Sequence, residues 1–165
     1  MSRFRLIILS VLAAGLLTIP GIGQSPPTTK KAQRFSPKLE PVAETKLLME
    51  GMVHPNFQAL EKTLKSEEID KDSWTFARGQ ALLIAESGNL LMLRPPNNTG
   101  QDDWMKNAME LRSTAAELAR AVASKNATRS RTGLVLLSNS CNSCHQTFRV
   151  PVSIKPFDFA EEKKP

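Results

Sequence analysis

The chain has 165 residues, which is enough for one domain with a buried core. Its formal charge at pH 7 is +6, and its 22 Lys and Arg residues are scattered along the chain. A nucleic-acid site would need a basic stripe and usually stacking aromatic residues, so the composition argues against a nucleic-acid partner.

The first 23 residues have the order of a secretory signal. Arg3 and Arg5 precede a long apolar run, and a proline and small residues follow it. We expect cleavage after Gly23 and export to the periplasm or another extracytoplasmic space, and losing the two arginines lowers the charge from +6 to +4. The competing interpretation is an uncleaved signal that anchors the protein in the membrane. Residues 24–38 are rich in Pro, Ser, Thr and Lys, which predicts a flexible or extended leader.

Residues 39–149 are predicted to form one all-α domain, because apolar residues recur at helical spacing with almost no β-type alternation. Segment A covers about residues 39–65, with Pro41 in its first turn. Pro55 should kink or interrupt this segment. The apolar stripe of segment A comprises Val42, Leu47, Met49, Val53, Phe57, Leu60 and Leu64.

Segment B covers about residues 73–93, with Asp72 or Ser73 as its N-cap. Pro95 and Pro96 follow it and end the helix. Its apolar stripe includes Phe76, Ala77, Leu83, Ile84, Leu90 and Leu91. The stripe predicts which face of segment B lies against the core.

Segments C and D have the most regular spacing. Segment C, about residues 102–124, has a 4-3-4-3-4 spacing of Trp104, Ala108, Leu111, Ala115, Leu118 and Val122. Segment D, about residues 128–148, has a 3-4-3-4 spacing of Leu134, Leu137, Cys141, Cys144 and Phe148. Such positions face inward between packed, nearly antiparallel helices. Four segments joined by short turns predict an up-down-up-down four-helix bundle with both cysteines facing inward.

The last residues, 150–165, contain three prolines and no helical period. They predict an irregular C-terminal tail. This tail can fold back over the domain through Ile154, Phe157 and Phe159.

The stretch NSCNSCHQTFRVP, residues 139–151, contains both cysteines of the chain and one of its two histidines. Cys141 and Cys144 have the C-x-x-C spacing of a redox dithiol. Catalytic dithiols, however, typically lie at a helix N-terminus, where the helix dipole lowers the thiol pKa, and this pair lies at the end of segment D. A closed zinc site needs four ligands, and beyond this motif only His54 is available.

C-x-x-C-H is also the signature of covalent haem attachment. On a helix, Cys141 and Cys144 share one face and can form thioethers with the two vinyl groups of one porphyrin edge. His145 can then ligate the iron from the proximal side. Export, the inward placement and the lack of another cysteine favour this chemistry over a dithiol or zinc. We therefore predict one covalently bound haem c.

The helical segments and the sequence CNSCHQTFR resemble the cytochrome c prime family, the class II c-type cytochromes, over about residues 40–149. Its members are exported four-helix bundles whose haem motif commonly continues as H-x-x-F-R/K, which His145, Phe148 and Arg149 match. The resemblance implies that the two cysteines anchor the haem, that His145 is the proximal ligand, and that Phe148 and Arg149 lie near it. Ordinary core packing of Phe148 and a solvated Arg149 at the helix C-terminus are the alternatives. Many relatives are dimers through their first two helices, so a homodimer is left open.

Function in this family depends on the residue that the first helix places over the distal face of the haem. A methionine gives an electron carrier, whereas an apolar or aromatic residue leaves five-coordinate iron that can bind NO or CO. The stripe of segment A puts Met49 closest to this position, Met52 toward the flank and His54 further along. We order the outcomes as Met49 ligand, five-coordinate iron, Met52 ligand and His54 ligand, although a kink at Pro55 can rotate Met52 inward.

The sequence therefore favours an exported one-electron carrier that meets unidentified redox partner proteins. The alternative is a haem protein that binds or senses a diatomic gas. A peroxidase-like enzyme would need a distal acid–base residue, and only Glu50 or His54 is available, so we predict that the protein is not an enzyme.

Overall fold

The computed structural model describes residues 38–97 and 99–157, and these residues form helices and loops without a strand. The all-α prediction is therefore confirmed for this part of the chain. The predicted signal at residues 1–23, nearly all of the predicted leader and Phe159 lie outside it. Within the described ranges, no helix is both long enough and apolar enough to cross a membrane.

The first helical segment runs without a break through three parts. Helix α1 is Thr45–Leu48, a π-helical turn follows at Met49–Val53, and helix α2 is His54–Lys65. The helix begins later than predicted, so Pro41 precedes it instead of lying in its first turn.

Two residues of the predicted stripe do not face the core. Val42 is 97% exposed and Leu47 is 57% exposed, so their predicted inward placement is wrong. The chain around Val42 is not helical, so no helical face carries this residue to the core. A π turn contains one more residue than an α-helical turn, which shifts the register before Val53 and buries Leu48 in place of Leu47.

The kink or interruption expected near Pro55 takes the form of a π turn, which changes the helix geometry without breaking the helix. Pro55 has no N–H to donate to the carbonyl four residues back, and its ring would crowd that carbonyl in a regular α-helix. In the π turn the His54 N–H bonds the Met49 carbonyl instead. The Asn56 side-chain amide donates to the Met52 carbonyl at 2.7 Å. The helix therefore continues past the proline, with the Met49 and Met52 carbonyls bonded.

Three long helices complete the described structure: α3 is Lys71–Met92, α4 is Gln101–Ala123 and α5 is Ala127–Thr147. Helix α2 packs on α3, α3 on α4, α4 on α5, and α5 also contacts α2. The helices share one apolar core in a bundle-like arrangement. Its fully buried large side chains are Leu60, Leu64, Ile84, Leu118, Val122, Leu134 and Leu137. The inward seams predicted for segments C and D are confirmed by this core, with Trp104, Cys144 and Phe148 only half-buried.

Helix α3 differs from its prediction at both its start and its buried face. Its N-cap is Asp70, whose carboxylate accepts hydrogen bonds from the backbone N–H groups of Asp72 and Ser73 at 2.8 and 2.9 Å. Phe76 and Leu83, which were predicted to face inward, are 67% and 46% exposed. The buried face instead consists largely of small residues with a few larger ones: Trp74, Ala77, Gln80, Ala81, Ile84, Ala85, Ser87, Gly88 and Leu91.

The surroundings of Gly88 show why small residues occupy the buried face of α3. A Cβ atom added there would lie 2.8 Å from the Ala108 carbonyl oxygen and 2.8 Å from the Arg112 Cβ. Such distances leave no room for a side chain, so α3 and α4 approach each other closely at this point.

We expect Gly88→Ala to destabilise the protein by about 1–3 kcal/mol, because the added methyl group must push the two helices apart. Gly79 lies on the same helix with nothing within 4 Å of an added Cβ. Gly79→Ala should therefore stabilise the fold by about 0.5–1 kcal/mol through the better helix propensity of alanine. Urea unfolding followed by circular dichroism measures both changes, and equal effects of the two substitutions would contradict the close approach.

Candidate functional site

The last two turns of α5 carry both cysteines and His145. Cys141 is 7% exposed and belongs to the apolar core, whereas Cys144 is half-buried at the edge of the core. Neither cysteine is in a disulfide. The predicted inward placement is therefore complete for Cys141 and partial for Cys144.

The two thiols are in a protein environment that keeps them uncharged. Burial, with a smaller contribution from Cys144, raises the pKa of Cys141 to about 12. Burial also raises the pKa of Cys144. Catalytic dithiols work through a thiolate whose pKa is lowered by a helix N-terminus or a nearby cation. Here burial raises the pKa of both thiols instead, which argues against a redox dithiol.

His145 is half-buried, and its ring has a defined partner. Its Nδ1 lies 3.1 Å from the Val152 carbonyl oxygen. A carbonyl oxygen can only accept a hydrogen bond, so the neutral ring donates through Nδ1–H. The Nε2 atom then carries the lone pair. Metal-binding histidines are commonly oriented in this way, with one ring nitrogen bonded to a backbone carbonyl and the other available to the metal.

The turn after α5 brings Val152 within reach of His145. The Val150 N–H donates to the His145 carbonyl at 2.8 Å, and the Arg149 N–H donates to the Gln146 carbonyl at 3.2 Å. This is a Schellman motif, and its left-handed position is occupied by Arg149 at φ 56°. Glycine is the usual residue there, and a residue with a Cβ costs about 1 kcal/mol. Arg149 is exposed on this turn.

The segment 150–157 folds back along the helices. The Asn142 side-chain amide makes two hydrogen bonds of 2.8 Å to Ile154, donating to its carbonyl and accepting from its N–H. The Phe157 N–H donates to a Glu61 carboxylate oxygen at 2.7 Å. Ile154 and Phe157 are partly buried against the core, which confirms the predicted return of the tail for these two residues. The segment 150–157, whose Val152 carbonyl bonds the His145 ring, is thus itself held by Asn142 and Glu61.

Phe148 packs against an aromatic residue of α4. Its ring and that of Trp104 make an edge-to-face contact, with centroids 5.2 Å apart and planes at 74°. The Trp104 Nε1–H donates to the Leu91 carbonyl at 2.7 Å. These contacts support the packing alternative for Phe148 and join the ends of α3 and α5 to the start of α4.

The candidate distal ligands all lie in or beside the π turn. Met49 and Met52 are half-buried and pack against the core, while Glu50 and His54 are exposed. Met52 is as half-buried as Met49 and packs against the core, which agrees with the inward rotation expected from a kink at Pro55. The Met52 sulfur lies 3.0 Å from the Oγ of Ser87 on α3.

Two residues of the site could not be found from the sequence. Asn142 lies inside the C-x-x-C spacing, where the motif prescribes no residue type. Ser87 lies on α3, which the motif does not involve. Asn142 bonds Ile154 and Ser87 contacts Met52, and both partners are distant in sequence. Only the folded chain therefore shows these contacts.

No protein-family model matches the chain, and no curated protein matches it. Across residues 38–97 and 99–157, no group of three or more His, Cys, Asp or Glu side chains is arranged to hold a metal ion.

Proposed function

We propose that the protein is an exported monohaem c-type cytochrome that carries one electron. Cys141 and Cys144 would hold haem c through thioethers, and His145 would be the proximal iron ligand. The observation that supports this most is the hydrogen bond from His145 Nδ1–H to the Val152 carbonyl. It leaves Nε2 as the free ligand atom, directly after two unpaired cysteines on the inner side of α5.

The donor set fits a covalently attached haem. Both thiols are free and protonated, which is the form that adds to a vinyl group. When bound, the haem supplies a one-electron iron couple. The chain supplies the surroundings: the Val152 carbonyl orients the His145 ring, and the segment 150–157 keeps that carbonyl in place. The apolar core beside Cys141 provides a region of low dielectric that keeps water away.

We also propose the up-down-up-down topology for the four main helices. Contacts near both ends of α4 support it. Trp104, at the start of α4, contacts Phe148 just beyond the end of α5. Further along, Leu118 lies 3.1 Å from the position of a Cβ added at Gly133, near the start of α5. These two contacts are those of antiparallel neighbours.

The alternative function is a five-coordinate haem protein that binds NO or CO. In that protein Met49 and Met52, which both pack half-buried against the core, would not ligate the iron. An enzymatic role is not proposed, since Glu50 and His54 are exposed and supply no interior acid–base group.

The visible spectrum of the exported, purified protein tests the proposed function. We expect haem bands that persist after acid-acetone extraction, because thioether bonds survive this treatment. For the electron carrier, the reduced protein should have low-spin bands that CO leaves unchanged. High-spin bands that shift with CO would instead support the gas-binding protein, and the absence of covalent haem would overturn both.

A further inference from the structure

The contact between Ser87 and Met52 lies in the interior of the helix assembly. Ser87 is completely buried, and its Oγ lies 3.0 Å from the Met52 sulfur. Met49, from the same π turn, is also half-buried, but no hydrogen bond to its side chain occurs among the described residues. The contact with Ser87 thus distinguishes Met52 from Met49, which the sequence alone favours as the ligand.

The Ser87 hydroxyl has a second acceptor. Its Oγ lies 2.9 Å from the Leu83 carbonyl, one turn earlier on α3. A hydroxyl has one proton, so it shares this proton between the sulfur and the carbonyl. If the sulfur moves, the proton can be donated fully to Leu83, and no buried donor is left without a partner. Ser87 can therefore orient the Met52 sulfur without trapping it.

The contacts of α3 and α4 place Met52 at the same end of the helices as the cysteine motif. Ser87 is followed by Gly88, where α3 lies close to Ala108 on α4. Ala108 lies one helical turn after Trp104, and Trp104 packs on Phe148. Phe148 lies one turn after Cys144. The π turn and the cysteines therefore lie at a similar level along the helices.

We propose that Met52 is the distal ligand of the haem iron and that Ser87 is the residue that positions its sulfur. This inference rests on the proposed function and goes beyond it by choosing between Met49 and Met52. A thioether sulfur has two lone pairs, so one can accept from Ser87 while the other binds iron. The hydrogen bond draws electron density from the sulfur, which favours the reduced iron and raises the reduction potential.

The holoprotein and four variants test the inference. Met52→Leu should lose the charge-transfer band of methionine-ligated ferric haem and should bind CO. Met49→Leu is the matched control and should keep the band. Ser87→Ala should lower the reduction potential and increase the rate of CO binding about fivefold, the effect of losing one ordinary hydrogen bond. Ser138→Ala is the control for Ser87, because Ser138 is equally buried and its Oγ bonds the Val135 carbonyl at 2.7 Å, with no methionine as a second acceptor.

A second readout is the NMR spectrum of the reduced holoprotein with labelled methionine methyl groups. The haem ring current should shift one methyl resonance far upfield. This resonance should be absent in Met52→Leu, present in Met49→Leu and moved in Ser87→Ala. If Met49→Leu removes it, or Ser138→Ala moves it as much as Ser87→Ala does, the inference is overturned while the cytochrome stands. A chain without covalent haem overturns both.

Discussion

The Cys141→Ser/Cys144→Ser variant is expected to be exported without covalently bound haem. Serine has nearly the same size as cysteine but does not form the thioether, so the chain loses both attachment points. Each single variant should retain haem through one thioether, and the pyridine haemochrome spectrum should shift because one vinyl group remains unsaturated. Acid-acetone extraction followed by this spectrum measures both effects.

Ser143→Ala is the matched control for the cysteine variants. Ser143 lies between the two cysteines and is exposed, so its loss should leave haem attachment unchanged. Covalent haem in the double variant would contradict the assignment of the anchors. Loss of haem in Ser143→Ala would indicate that the attachment depends on the local helix more than on the thiols.

Leu134→Ala is expected to lower the free energy of unfolding by about 3 kcal/mol. Leu134 is completely buried among the helices, so truncation removes apolar contacts and leaves a cavity that the neighbouring helices only partly fill. Leu136 lies two residues further along α5 and is 54% exposed. Leu136→Ala should cost less than about 1 kcal/mol, because most of its side chain already contacts water.

Urea unfolding of the two leucine variants under identical conditions measures this difference. Both substitutions remove the same atoms from the same helix, so helix propensity cancels in the comparison. Equal losses would indicate that α5 does not present the Leu134 face to the core. That result would also remove the support for the inward placement of Cys141, which lies on the same face two turns later.

The sequence predicted α4 and α5 well because large apolar residues define their buried faces. Trp104, Leu111 and Leu118 recur at a spacing that only one face of a helix can satisfy. On α3 the same approach failed at Phe76 and Leu83. There the buried face consists mainly of small residues, which pack closely on α4. Regularly spaced large apolar residues therefore do not mark this face.

The sequence by itself determined the helical segments, the inward face of Cys141 and the C-x-x-C-H motif, because these depend on residue type and local spacing. Only the tertiary structure decided that Met52 packs against the core, that Ser87 contacts its sulfur and that Val152 selects the free nitrogen of His145. The Ser87 and Met52 side chains are 35 positions apart in the chain. Whether two such groups meet depends on helix register and on the π turn beside Pro55, and both are set by the packing of the helices against one another.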